Sequence, residues 1–140
     1  MPPRRRVMTA ERMRWYADAF ETCSLDGDRA VIAAPNIHTD DAMARANGLP
    51  GRVADGMIST NWISTLLEDT FGETSFAGGS LRTRYVRPIF EDERIEVIVR
   101  ITRRDSGEEG RETISADVTC VKEDGQVATG GDATVVLPAR

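Results

Sequence analysis

Hydrophobic residues follow a helical period in the first half of the chain and a strand-like period in the second. Residues 56 to about 70 carry apolar side chains over more than half of a helical circumference, which predicts a long helix buried on several sides. An earlier amphipathic helix is predicted after Thr9, a good N-cap, with Glu11 in its first turn, where the helix dipole favours an acid. The first half therefore supplies the helices of the fold.

A third, short helix is predicted between these two. Thr39 or Asp40 is expected to cap its start, and it runs through Ala46. The pair Asn47-Gly48 then suits a left-handed C-terminal cap. Asp55 is expected to cap the long helix in the same way as Thr39 or Asp40 caps the short helix.

The second half predicts four strands. Residues 81–90 form the first, bent or ended by Pro88, and residues 95–101 and 114–120 alternate apolar and polar side chains. Residues 126–137 form the last strand, and polar, glycine-containing turns make the strands antiparallel neighbours. The pattern indicates an α+β fold in which an antiparallel sheet wraps around the helix of residues 56–70. Because such a sheet leaves its edges exposed, we expect a two-fold homodimer.

Length and charge limit the function. The chain has 140 residues and a net charge of −5, so we expect one domain over residues 9–140 behind a solvated basic leader at residues 1–8. No apolar run approaches the ~20 residues of a membrane span, and no signal-peptide pattern follows the leader. A cytoplasmic protein with no membrane partner is therefore expected, and the acidic charge argues against nucleic acid as a partner.

The cysteines suggest no metal or redox chemistry. Cys23 and Cys120 form no CxxC pair and no metal-ligand spacing, and the chain has a single histidine. Both thiols are expected to act as small apolar residues in a reducing compartment. No metal and no other cofactor is expected.

The single histidine is the clearest candidate for chemistry. His38 lies in the run Asn36-Ile37-His38-Thr39-Asp40, eighteen residues before Gly56. An imidazole titrates near neutral pH and suits acid–base work, although a polar loop residue bonded to backbone is the alternative. Gly56 at the start of the long helix offers an unpaired N–H group to a developing negative charge. Its alternative role is close backbone approach at a tight turn.

These residues resemble the MaoC-like hot-dog family, the (R)-specific enoyl-CoA hydratases and related dehydratases. The family's hydratase segment reads Asp-x-Asn-Pro-x-His-x-Asp and is followed by His-Gly-Met at the central helix. Here Ile37-His38-Thr39-Asp40 and Asp55-Gly56-Met57 match the two parts with no gap between them. Arg87-Pro88-Ile89-Phe90 is similar to a family strand. The resemblance spans about residues 9–138 and implies the hot-dog fold.

Three departures fall on the reacting groups. Ala33 stands where the family has its catalytic Asp, Pro35-Asn36 reverses the family's Asn-Pro, and Asp55 replaces the His before the helix glycine. Two hypotheses supply the missing acid. Asp26 or Asp28 folds back towards the histidine, or Asp55 lies beside it; for Asp55 the alternative is helix capping alone.

The resemblance implies catalytic roles for His38 and Gly56, and Asp55 is a third catalytic candidate under the hypothesis that it replaces the missing acid. The candidate substrate-binding set is composed of Asn36, Asp40, Met57, Asn61 and Ser64. Asp40 is alternatively only a helix cap. Asn61 and Ser64 share one helix face and present hydrogen bonds either to a ligand or to a partner subunit.

The expected activity is that of a hydro-lyase acting on an acyl thioester of coenzyme A or of a carrier protein. The enzyme would add or remove water across a carbon–carbon double bond. Arg82, Arg84 and Arg87 either attract the phosphates of such a carrier or pair with acids of the chain. The alternatives are a thioesterase, isomerase or cyclase on the same fold, and a non-catalytic ligand-binding subunit.

Overall fold

The computed structural model describes residues 1–21, 25–26, 29–30, 35–72, 77–107 and 110–139. Ala33, Asp28 and Cys23 lie outside the described residues, as does the side chain of Asp26. Helices and strands follow one another in the order β1 (Arg4–Val7), α1 (Ala10–Glu21), β2 (Leu25–Asp26), β3 (Arg29–Ala30), α2 (Asp41–Ala46), α3 (Gly56–Phe71), β4 (Ser80–Tyr85), β5 (Arg94–Ser106), β6 (Glu112–Lys122) and β7 (Val127–Leu137).

The main sheet has five antiparallel strands in the order β1-β5-β6-β7-β4. Helix α3 packs against β4, β5, β6 and β7, and its buried side chains Ile63 and Leu67 join one core with strand residues such as Val97 and Val118. This is the α+β, hot-dog arrangement of a sheet around a central helix that the periodicity predicts. Strands β2 and β3 form a separate pair.

The predicted helix caps are confirmed. The hydroxyl of Thr9 accepts from Arg12 N–H at 3.2 Å, and the carboxylates of Asp40 and Asp55 accept from the backbone N–H groups of Met43 and Met57 at 2.7 and 2.8 Å. After α2 the chain turns through Gly48 with a φ of 80°, as the Asn-Gly pair predicts. Local hydrogen bonding thus fixes where each helix begins.

The prediction of a solvated leader is wrong for residues 4–7. They form β1, which pairs with β5, and the next residue, Met8, is fully buried. The backbone of Arg4–Val7 satisfies the open edge of β5, while alternate side chains stay in solvent. The basic residues therefore belong to the sheet.

The strand predicted for residues 81–90 ends earlier, at Tyr85. The N–H groups of Val86 and Arg87 both donate to the carbonyl oxygen of Ala128, at 2.8 and 3.1 Å, so the ladder does not advance. Pro88 has no N–H group with which to resume it. The chain then returns to pair Phe90 with Val53, next to the start of α3.

Cys120 is a core residue, as predicted for the thiols. Its side chain is fully buried, and burial raises the pKa of the thiol to about 12. The group therefore stays protonated at neutral pH and packs as a small apolar residue.

Candidate active site

The loop that carries His38 is held by its own backbone and by Asn36. The side-chain oxygen of Asn36 accepts from the backbone N–H of His38 at 2.8 Å, and the Asn36 carbonyl accepts from Thr39 and Asp40 at 3.2 and 3.0 Å. Asp40 then caps α2. Asn36 and Asp40, both predicted to bind substrate, thus build the turn that presents the histidine.

The ring of His38 is anchored to the segment that leads into α3. Its Nδ1 lies 2.8 Å from the carbonyl oxygen of Val53. A carbonyl oxygen only accepts hydrogen bonds, so Nδ1 carries the hydrogen, and in the neutral ring Nε2 holds the lone pair. Among the described residues Nε2 has no hydrogen-bonding partner, which leaves it able to accept a proton.

A cavity of about 420 Å³ opens beside this half-buried ring. Its wall includes Glu11, Arg14 and Trp15 of α1, together with Thr39 and Arg52. In the described part of the chain, no hydrogen bond or ion pair joins His38 to a carboxylate. None of the described carboxylates therefore supplies the acid sought for the histidine by direct contact.

A second cavity, of about 240 Å³, lies at the start of α3. Asp55 and Gly56 line it, with Arg87 and Thr129. The backbone N–H of Gly56 has no hydrogen-bonding partner among the described residues, as expected for the first turn of a helix. The positive end of the helix dipole thus lies at the wall of this cavity. The structure places Asp55 and Gly56 in this wall and His38 in the wall of the first cavity.

Tyr85 covers Gly56, a contact that the sequence does not reveal. A Cβ at position 56 would lie 2.6–2.7 Å from three ring carbons of Tyr85, so only glycine permits this approach. The Tyr85 hydroxyl lies 2.9 Å from the hydroxyl of Thr60 and donates to the sulfur of Met57 at 3.0 Å. The close-approach role of Gly56 is therefore observed, alongside its free N–H group.

We expect Gly56→Ala to destabilise the fold by about 1–3 kcal/mol through overpacking against Tyr85. In a Tyr85→Ala background the same substitution should be neutral or stabilising, because alanine is a better helix residue than glycine. Thermal denaturation of both single variants and the double variant measures the coupling. An equal loss in the two backgrounds would contradict the packing role.

A second tyrosine lies near this helix start. Burial and then the charge of Asp55 raise the pKa of Tyr16, with a smaller effect of Tyr85. The phenol therefore stays protonated at neutral pH. Tyr16 packs at the margin of the core.

The remaining predicted residues lie further along α3. Met57 is exposed and contacts Tyr85 through its sulfur, Asn61 is exposed, and Ser64 is half-buried. Neither Asn61 nor Ser64 lines the two cavities. The sequence carries no signal that places Arg14, Trp15 and Arg52 at the cavity, and it indicates Glu11 only as an acid favoured by the helix dipole.

The described residues contain no group of three or more His, Cys, Asp or Glu side chains that could hold a metal ion. None of their helices combines the length and the apolar character that a membrane crossing needs.

Comparison with known proteins identifies the family. The family model of the MaoC like domain matches residues 34–123, more than half of the chain, and the chain belongs to this family. The expected relationship to MaoC-like proteins is thus confirmed. No curated protein matches.

Solved structures share the fold. The (R)-hydratase from A. caviae involved in PHA biosynthesis is 19% identical, with a TM-score of 0.75 and coverage of 98% of this chain and 93% of that chain. The ChsH1-ChsH2 complex from Mycobacterium tuberculosis is 17% identical, with a TM-score of 0.70 and coverage of 100% of this chain and 94% of that chain. The HadBC complex, a 3R-hydroxyacyl-ACP dehydratase from the same organism, is 16% identical, with a TM-score of 0.68 and coverage of 96% of this chain and 91% of that chain.

Proposed function

We propose that this protein is a hydratase or dehydratase that acts on an acyl thioester, with His38 as general acid or base. The orientation of the imidazole is the observation that carries the proposal. The Val53 carbonyl fixes the proton on Nδ1 and leaves Nε2 for a ligand in the adjoining cavity. Membership of the MaoC-like family and the activities named for the A. caviae and HadBC proteins support this class of reaction.

The chemistry fits an imidazole and a helix N-terminus. In hydration, Nε2 of His38 takes a proton from water while the water oxygen bonds to the β-carbon of the enoyl group. The π electrons of the double bond move towards the thioester carbonyl, whose oxygen gains negative charge. For an acyl group that extends from the His38 cavity to the cavity at Gly56, the N–H of Gly56 is proposed to donate to that oxygen, because a preorganised donor at a helix start stabilises such charge. Dehydration is the reverse.

Asp55 is the first hypothesis for a second acid–base group, and its observed role limits it. Its carboxylate accepts from the N–H of Met57, and it lines the cavity at Gly56 rather than the one at His38. Asparagine caps a helix about as well as aspartate. We therefore expect Asp55→Asn to keep most of the activity and Asp55→Ala to lose about 1 kcal/mol of stability. Steady-state kinetics and thermal denaturation check both, and a large loss of kcat in Asp55→Asn would favour the catalytic hypothesis.

We also propose that the protein is a cytoplasmic homodimer and that its acyl substrate is linked to coenzyme A or to a carrier protein. Strands β1 and β4 form the two open edges of the five-stranded sheet, which a second copy would cover. Met57, Asn61 and Ser64 are proposed substrate contacts on the exposed side of α3, either directly or across that interface.

Turnover of defined thioesters tests the function. Purified protein is mixed with 2-enoyl thioesters of coenzyme A and of a phosphopantetheine-bearing carrier protein, and the conjugated enoyl absorbance is followed. We expect the absorbance to fall and mass spectrometry to show the gain of one water. Release of free thiol and acid would identify a thioesterase instead. Failure to hydrate these thioesters, together with failure to dehydrate 3-hydroxyacyl thioesters, would overturn the proposal.

The second candidate is a non-catalytic subunit that binds ligand beside an intact hydratase. Ala33, at the position of the family's acid, favours it, and two of the similar structures are complexes. His38→Ala separates the two candidates. Loss of activity with retained ligand binding supports catalysis. If His38→Ala changes neither activity nor ligand binding, the result supports a binding role.

A further inference from the structure

Hydration of a double bond needs proton transfer at two places. One group takes a proton from the water that attacks the β-carbon, and a proton must reach the α-carbon. His38 has one free ring nitrogen, Nε2, since Nδ1 is occupied by the Val53 carbonyl. The reaction therefore requires a second acid–base group at the same cavity.

Among the described residues that line the His38 cavity, Glu11 is the one with a carboxylate. The nearby acids have other partners: Asp41 and Glu91 lie 3.6 and 2.9 Å from the guanidinium of Arg52, while Asp40 and Asp55 cap helices. Within the described part of the chain, the carboxylate of Glu11 has no hydrogen bond or ion pair. It is thus a polar group at the cavity with no structural partner.

Helix α1 gives Glu11 a fixed position. Glu11 lies in the first turn, behind the Thr9 cap, and Met13, two residues further along α1, is buried in the core. The histidine is held on the facing loop by Asn36 and Val53. The two groups therefore approach one cavity from two anchored elements, as a pair that works on one substrate requires.

We propose that Glu11 is the second catalytic acid–base residue, transferring the proton at the α-carbon of the acyl group. This inference rests on the proposed function. In dehydration, the Glu11 carboxylate takes the α-proton, the electrons of that C–H bond form the double bond, and the β-carbon–oxygen bond breaks. The His38 imidazolium gives its Nε2 proton to the departing hydroxide, which leaves as water. A proton then returns from Glu11 to His38 through solvent, so the enzyme is unchanged.

Conservative substitutions of Glu11 test the inference. We expect Glu11→Gln to lower kcat/KM at least about 10²-fold, with a thermal midpoint near that of the wild type. Glu11→Asp, which keeps the carboxylate, should retain part of the activity. Glu68→Gln is the matched control, because Glu68 is an exposed glutamate on α3 outside both cavities, and it should behave as wild type.

Chemical rescue gives a readout that a structural role would not move. Added formate should restore part of the turnover of Glu11→Ala and none of that of a His38 variant. Glu11→Gln activity within a fewfold of wild type, or absence of rescue in a folded Glu11→Ala protein, would overturn the role of Glu11 while leaving the proposed function intact. A wild-type protein without hydratase or dehydratase turnover overturns both.

Discussion

His38→Asn is expected to lower kcat/KM by about 10²–10⁴-fold while the protein stays folded. The asparagine amide can reach the position of Nδ1 and donate to the Val53 carbonyl, which His38 contacts at 2.8 Å. The substitution therefore keeps the loop anchor and removes only Nε2. Steady-state kinetics on the thioester that the wild type turns over, with circular dichroism as the folding check, measures the effect.

His38→Gln is the complementary variant. Its amide extends towards the position of Nε2, where it can bind water but cannot take up a proton at neutral pH. The same loss of turnover is expected, with substrate binding largely retained. If either variant kept wild-type kcat/KM, the imidazole would be an anchor of the loop and not an acid–base group.

Gly131→Ala is expected to destabilise the protein by about 3 kcal/mol or more, because the obstacle is backbone. A Cβ at position 131 would overlap the carbonyl oxygen of Arg82 and lie 3.0 Å from the Cα of Thr83. Among the described strands, β4 pairs with β7 alone, and Thr83 lies opposite Gly131. The two strands would have to separate locally to admit the methyl group.

Gly130→Ala is the matched control for this prediction. The nearest atom to a Cβ at position 130 is the Cγ1 of Val127, at 3.7 Å, an ordinary van der Waals contact. Urea denaturation should show a small change for Gly130→Ala and a large one for Gly131→Ala. Because β4 ends at Tyr85, which covers Gly56, the Gly131 variant should also lose activity. Similar stability of the two variants would contradict the tight β4–β7 pairing.

The helices and the central strands could be predicted because their signals are local. Side-chain period and capping residues lie within a few positions of each other, as with Asp55 and the first turn of α3. Strand β1 was missed because three arginines look like a solvated segment. What pairs it is the open edge of β5, about ninety residues away, and a single sequence does not show such an edge.

The residues of the candidate site also fall into two groups: those that the sequence indicates and those that only the folded structure brings to the site. His38 and Gly56 could be found from the spacing of the motif, whereas the carbonyl of Val53 fixes the imidazole through backbone, which carries no residue-specific signal. Tyr85 reaches Gly56 from a distant strand. Glu11 meets the His38 cavity only because α1 folds over it. Tertiary contacts decide these three features, so periodicity and capping rules did not reveal them.

Proton NMR of a 3-hydroxyacyl thioester incubated in D₂O tests the central claim most directly. Reversible loss and return of water should place deuterium at the α-carbon with the wild-type protein, and His38→Asn should leave that carbon protonated over the same time. An α-carbon that stays fully protonated with the wild type, or one that exchanges equally fast with His38→Asn, would contradict the account.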